Sequence, residues 1–455
     1  MSRPRRRVAV VGAGWAGLAA AVQASADGHA VTLFEMAGHT GGRARSVTVD
    51  SRANVAPPLC STPAGGGLGE ARPWGHPLAL DNGQHILIGA YTETLRLMRL
   101  VGVDPTQVLH RRPLELVYPD GSGLRLPHGN VHLGFAWATA RVRGWSWRER
   151  WSLLRQTLGW LRNGMRNPGV DTVAQLCAGL PDRVRADLID PLCIAALNTP
   201  SAQASATVFL RVLADALFGG SGSSDLLLPA AGLSRLFPLP AGQWLERQGA
   251  CLRLGCRVKS IVQEPDATWS VDDQPFDTVV LGCSAVEAAR LTARLNPAWS
   301  ALASSLHYEP IATVYLLRHT NPLPSPMVAL RCTAEQPAQF AFDLGLLGQH
   351  SNLVAFVVSG ARDWLARGLP ELSASVQRQA AGALPASFGA SPTVVHATME
   401  RRATFACVPA LARPPMSIAP GLLAAGDYIE GPYPATIEGA VRAGVRAVTT
   451  AIHTS

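Results

Sequence analysis

Gly12-Ala13-Gly14-Trp15-Ala16-Gly17 is a spacing that can hold a pyrophosphate. Glycine at the first position permits a tight turn. At the second it lets phosphate approach the backbone, and at the third it lets a helix pack closely on a strand. The elements this chemistry needs flank the motif. Val8-Ala9-Val10-Val11 is a short apolar run of the kind that forms a strand buried on both faces. Leu18 to Ala26 continues as a small-residue helix pattern, with Trp15 and Ala16 at its N-terminal end, where unpaired N–H groups face the phosphates. A second strand, Ala30 to Phe34, ends in Glu35, 18 residues beyond Gly17, where a carboxylate accepts hydrogen bonds from ribose hydroxyls. Strand, glycines, helix and acid together point to an α/β dinucleotide-binding unit.

Further clusters lie elsewhere in the chain. Gly38-His39-Thr40-Gly41-Gly42-Arg43 offers a second glycine approach to the cofactor and an arginine that can pair with a phosphate. Leu422 to Ala425 reads as a buried strand ending in Gly426-Asp427. Tyr433-Pro434-Ala435-Thr436-Ile437-Glu438-Gly439 then reads as a helix start, with proline near its first turn. Asp81-Asn82-Gly83-Gln84-His85, ahead of Ile86 to Ile88, would ordinarily be a polar turn. Cys251 to Val258 and Phe276 to Cys283 read as strands.

The glycine motif, the acid and the G-x-x-G-G-R segment resemble the FAD-containing amine oxidase and phytoene desaturase superfamily. The D-N-G-Q-H segment and the motifs around Asp427 and Glu438 are similar to those of the squalene-associated FAD-dependent desaturases, read as hydroxysqualene dehydroxylases of hopanoid biosynthesis. The resemblance implies an FAD-binding Rossmann-like domain in three pieces, 1–90, 226–290 and 401–455. Residues 91–225 and 291–400 would form an α+β substrate domain with a helical, membrane-facing part. It also implies that Val258 contacts adenine through its backbone and that Asp427, with Gly426, meets the ribityl–phosphate region. The helix beginning at Thr436 and Ile437 would point at the flavin pyrimidine edge.

The implied reaction removes an allylic hydroxyl from a triterpene lipid and replaces it with hydride, using an electron donor for the flavin. It needs an acid at the departing hydroxyl and a dry pocket. His85 is the first candidate acid, with Asp81 and Glu438 after it; a loop-fixing role suits His85 and Asp81 equally well. His29 and His39 read as surface loop residues. The single lysine, Lys259, follows the adenine-side Val258 and is badly placed for the flavin-side lysine of amine oxidases. A carotenoid-type polyene desaturase is the enzyme alternative, and a flavin-binding protein that presents lipid to other enzymes is the non-enzyme alternative.

Composition sets the outer bounds. The 455 residues are 47% apolar and 16% charged, with 43 Gly and 34 Pro, which excludes a disordered chain, a coiled coil or collagen. Eight cysteines without a C-x-x-C pair exclude a zinc ribbon and suit a reducing compartment. Arg3, Arg5, Arg6 and Arg7 before an apolar run mimic a secretory signal, but the glycine motif explains that run better. The net charge of +8 is local. Residues 134–166 hold seven arginines against Glu149 alone, together with five of the 11 tryptophans. Trp147, Trp151, Leu154, Leu158 and Leu161 recur on one helical face, flanked by Arg148, Arg155 and Arg162. That pattern suits an anionic membrane interface, and no nucleic-acid module accompanies the charge. The expected location is cytoplasmic, peripheral on the inner face of the cytoplasmic membrane. The Pro/Gly-rich stretch Ala53 to Pro77 reads as an insertion.

Overall fold

The computed structural model describes residues 5–49, 77–127, 129 and 131–453. Of the expected insertion, all but Pro77 lies outside the described residues. From the amino end, β1 (Arg7–Val11), α1 (Trp15–Ala26) and β2 (Ala30–Glu35) follow one another as the glycine spacing requires. An antiparallel pair comes next, β3 (Ser46–Val49) with β4 (Leu78–Asp81), then α2 (Thr92–Leu100). A helical region holds α3 (Val131–Arg141), α4 (Trp147–Arg162), α5 (Asp190–Leu197) and α6 (Ala206–Phe218).

The chain then returns to the first sheet with β5 (Cys251–Leu254) and β6 (Thr278–Leu281). It goes on to build a second sheet from β7 (Tyr308–Leu317), β8 (Met327–Ala329), β9 (Phe340–Asp343) and β10 (Leu353–Val358). Helix α7 (Arg362–Ala383) covers that sheet before β11 (Thr393–Phe405) completes it. β12 (Ser417–Ala419), β13 (Leu422–Ala424) and α8 (Ile437–His453) follow.

The first sheet has the order β5-β2-β1-β6-β13-β12, parallel except for β12. Its order reverses between β1 and β6, and Gly12 and Glu35 stand at the carboxyl ends of β1 and β2. Ligands of open parallel sheets bind in that crevice. Val8 to Val11 are buried because neighbouring strands and both sheet faces enclose β1, hence the unbroken apolar run. α1 approaches closely only because position 17 is glycine. A Cβ there would lie 1.8 Å from the Gly12 carbonyl oxygen, so any larger residue drives helix and turn apart.

The second sheet is antiparallel, in the order β8-β9-β10-β7-β11. Alternation along β7 divides its side chains. Ala312, Val314 and Leu316 pack in a small core with Phe356 and Leu372, whereas Ile311 and Tyr315 belong to the main core. One face of β7 is thereby free to wall a site shared with the first sheet. Among the described residues no helix is long and apolar enough to cross a membrane. α4 packs differently from the expected stripe. Leu153, Thr157 and Trp160 are its buried residues, and Trp147, Trp151 and Leu158 are exposed.

Candidate active site

A cavity of about 610 Å³ has walls from both sheets. On the first-sheet side it is lined by Gly12, Gly14, Trp15 and Ala16. Gly14 caps α1 without a side-chain hydrogen bond, and no acid occupies the first turn. The helix therefore presents unpaired N–H groups and a positive dipole end to the cavity. The glycine doublet reaches the same place. Gly41 N–H donates to the Ala13 carbonyl at 2.8 Å, and a Cβ on Gly42, where φ is 60°, would lie 3.1 Å from Gly14 Cα. Two backbones meet there, and the tight approach falls on Gly42.

Glu35 lines the cavity with its carboxylate fixed: Oε2 accepts Ala13 N–H at 2.6 Å and Oε1 accepts Ala37 N–H at 2.8 Å. Each oxygen keeps a lone pair for a ribose hydroxyl. Val258, also lining the cavity, is buried. Gly17 does not line it; its work is the helix–strand approach described above. The two ends of the chain join where Arg43 pairs with Asp427 at 2.6 Å, and Arg43 also donates to the Ala403 carbonyl at 2.8 Å. Gly426, Thr436 and Ile437 line the cavity beside this pair. Thr436 Oγ1 accepts Gly439 N–H at 3.0 Å, capping α8. An uncapped helix start, two glycine approaches and a positioned carboxylate fit the phosphates and ribose of FAD.

The opposite wall is apolar. It is made by Ile194 to Leu197 of α5 with Ile311, Phe340, Phe342 and Val357 from the second sheet. Asn198, which ends α5 in the left-handed region at φ 46°, fastens that wall. Its Nδ2 donates to Thr404 Oγ1 at 2.9 Å and to the Glu309 carbonyl at 3.2 Å, and its Oδ1 accepts Gly360 N–H at 2.6 Å. One buried amide thus joins α5 to three neighbouring stretches of the second sheet. Gln84, Tyr91 and Glu400 line the cavity as well. The sequence assigns a role to none of these four, although Gln84 belongs to the D-N-G-Q-H segment. Only Asn198 had a signal, as asparagine after an apolar helix is a frequent left-handed cap.

The three expected acids part company. Asn82 to Ile86 line the cavity, so His85 is at the site. Its Nδ1 lies 2.9 Å from the Gly83 carbonyl, which makes Nδ1–H the donor and leaves Nε2 for the cavity. Burial pushes the His85 pKa below its ordinary 6.5, and the Arg43 charge acts in the same direction. The neutral ring therefore dominates at neutral pH, and an acid role draws on the minor protonated form.

Asp81 is buried and does not line the cavity. Its Oδ1 accepts Ser46 Oγ–H at 2.6 Å and Leu233 N–H at 2.9 Å, pinning β4 to β3 and to the segment before β5. Burial raises its pKa. Glu438 is fully buried and off the cavity too. It accepts Glu93 N–H and Thr94 N–H at 3.0 Å, Thr94 Oγ–H at 2.7 Å, and Arg442 Nε at 2.6 Å. α2 has no side-chain cap of its own, so Glu438 supplies one from α8. Both carboxylates sit off the cavity and clamp neighbouring elements, which for Asp81 is the loop-fixing alternative rather than the acid. Two further expectations meet the structure here. His29 is buried, accepting Arg6 N–H at Nδ1 from 3.3 Å, rather than lying in a surface loop. Lys259 is exposed and off the cavity.

The chain matches the model of the flavin containing amine oxidoreductase family over residues 15–452. It is 27% identical to a hydroxysqualene dehydroxylase of Rhodopseudomonas palustris, over 97% of this chain and 97% of the relative. A hydroxysqualene dehydroxylase of Sinorhizobium fredii is 25% identical, over 98% of each chain. Among solved structures, an oxidoreductase from Methanosarcina mazei superposes with a TM-score of 0.71 at 16% identity, covering 98% of this chain and 100% of that one. Cyclohexylamine oxidase from Brevibacterium oxydans superposes with a TM-score of 0.67 at 16% identity, covering 99% of each. These two likenesses concern the fold. The chain belongs to the flavin containing amine oxidoreductase family and is an FAD-dependent oxidoreductase.

Proposed function

We propose that the chain removes the allylic hydroxyl of hydroxysqualene reductively, giving squalene for hopanoid biosynthesis. The observation that carries this reading is one cavity in which a dinucleotide cradle continues into an apolar wall, with the His85 ring among the lining residues. In the balanced reaction a C–O bond breaks, a C–H bond forms, and the hydroxyl leaves as water with one added proton. Bound FAD, in its reduced state, supplies the hydride.

The chain's own residues do the rest. Gly12 and Gly17 shape the turn, and Gly14, Trp15 and Ala16 turn the α1 N-terminus to the pyrophosphate. Gly41 and Gly42 keep the second approach open, Glu35 would take the ribose hydroxyls, and Val258 would lie on the adenine side. Arg43 with Asp427 and Gly426 would hold the ribityl–phosphate side, and Thr436 and Ile437 at the α8 N-terminus would face the flavin. Ile194, Ile311, Phe340 and Val357 exclude water, which would otherwise recapture an allylic cation as the alcohol. His85 donates the proton from Nε2. Its lowered pKa makes it a stronger acid held at lower occupancy, so turnover is lost as pH rises through that pKa.

The names of the full-length relatives support the triterpene substrate. The position of Lys259 speaks against amine oxidation. Incubating the purified protein with hydroxysqualene and a flavin reductant tests the proposal by gas chromatography of the products. Squalene is expected. A product with additional conjugated double bonds and no squalene would favour a desaturase instead.

A further inference from the structure

We propose that α3 and α4 form a surface that docks on an anionic lipid bilayer. The tryptophans of 134–166 divide into two sets: Trp145 and Trp160 are buried, while Trp147, Trp151 and Trp137 are 76%, 67% and 49% exposed. α4 meets the rest of the protein through Leu153, Thr157 and Trp160. The stripe of Trp147, Trp151 and Leu158 lies about a third of a turn away, so α4 carries a second apolar face that none of the described residues covers. The two helices present one surface. Arg150 stacks over Trp147 at 5.1 Å and donates to the Val142 carbonyl just past α3, where Arg141 stacks over Trp137 at 4.4 Å.

Charge decides the occupant. Arg148, Arg155 and Arg162 are exposed along one edge of the tryptophan stripe. Glu149, the segment's only acid, is committed to capping α4 through Ser146 N–H and Oγ–H. Indole rings rimmed by arginine match the headgroup layer, where the rings sit among acyl carbons and guanidinium groups meet lipid phosphate. A protein partner would need an acidic and apolar face together, whereas an anionic bilayer offers both at every point. The surface also stands near the cavity: α3 packs on α6, and α6 on α5, whose Ile194 to Leu197 form the apolar wall. The docking rests on exposure and charge. The proposed triterpene substrate supplies only its purpose.

The test sediments the full-length flavoprotein with vesicles of phosphatidylglycerol in phosphatidylcholine, and with phosphatidylcholine alone. At least tenfold stronger binding to the anionic vesicles is expected, weakening as salt rises. The triple variant Trp147→Ser, Trp151→Ser, Leu158→Ser should lose at least tenfold of that binding with its melting transition and flavin spectrum unchanged. Arg148→Gln, Arg155→Gln, Arg162→Gln should abolish the preference for anionic lipid, and it remains decisive if the first variant folds poorly. Wild-type protein that stays in the supernatant, or equal binding by all three proteins, would overturn the proposal. So would a dimer in solution that the tryptophan variant dissociates. Turnover of detergent-dispersed hydroxysqualene, followed in parallel, reports on the proposed function alone, so the two failures are distinguishable.

Discussion

The two walls of the cavity are built on different principles. The first-sheet wall depends on backbone: glycines that let chains touch, an uncapped helix start, and a carboxylate held by two N–H groups. The second-sheet wall depends on side chains brought from four distant stretches and fastened by Asn198. The first admits almost no substitution and serves a cofactor. The second can be reshaped residue by residue, which is how one cofactor cradle is matched to different substrates.

The sharpest way to break the contrast is Gly17→Val. The added atoms have no space against the Gly12 carbonyl, so the purified protein should carry no FAD and melt far below the wild type. Wild-type flavin content in this variant would mean that the cradle does not depend on that approach. Glu438→Ala should come next, at about 3–5 kcal/mol of stability, because it uncaps α2 and leaves the Glu93 and Thr94 N–H groups and the Thr94 hydroxyl without their acceptor. Denaturant unfolding measures it, and a loss of turnover without a loss of stability would return Glu438 to the list of acids.

His85→Gln keeps polarity and removes the transferable proton. Turnover should fall by about 10²-fold, with the flavin spectrum retained. The wild-type rate should fall as pH rises through a pKa below 6.5, as required when the proton-bearing form acts. The variant should show a flat profile there. Asn198→Gly is the mildest, as glycine keeps the left-handed turn while the three hydrogen bonds vanish. About 1–3 kcal/mol of stability should be lost. KM should rise with flavin content unchanged, whereas Gly42→Ala should lower flavin content instead.

The same contrast explains what could be read before any coordinates. β1, Gly12 to Gly17 and Glu35 follow one another within 30 residues, and each obeys a local rule of turn, approach or capping. Asp427 and Thr436 were legible for the same reason. A fixing role for Asp81 is legible in the sequence but its partner is not, and for Glu438 neither is, because the N–H groups they meet, on Leu233 and on Glu93 and Thr94, are 152, 345 and 344 residues away. Of the expected α4 stripe Trp147, Trp151 and Leu158 are exposed while Leu154 packs on the core, and nothing local shows that Leu153 and Trp160 would bind the protein first. Glu400 reaches the cavity only through the pairing of β11 with β7, which no spacing in the chain reports.

The central claim is that this cavity carries a reductive dehydroxylation. The most direct measurement mixes anaerobically reduced protein with hydroxysqualene and follows the visible flavin band together with the lipid products. The flavin should return to its oxidised spectrum as one squalene forms per flavin. Flavin that stays reduced in the presence of hydroxysqualene, or that reoxidises without squalene, would contradict it.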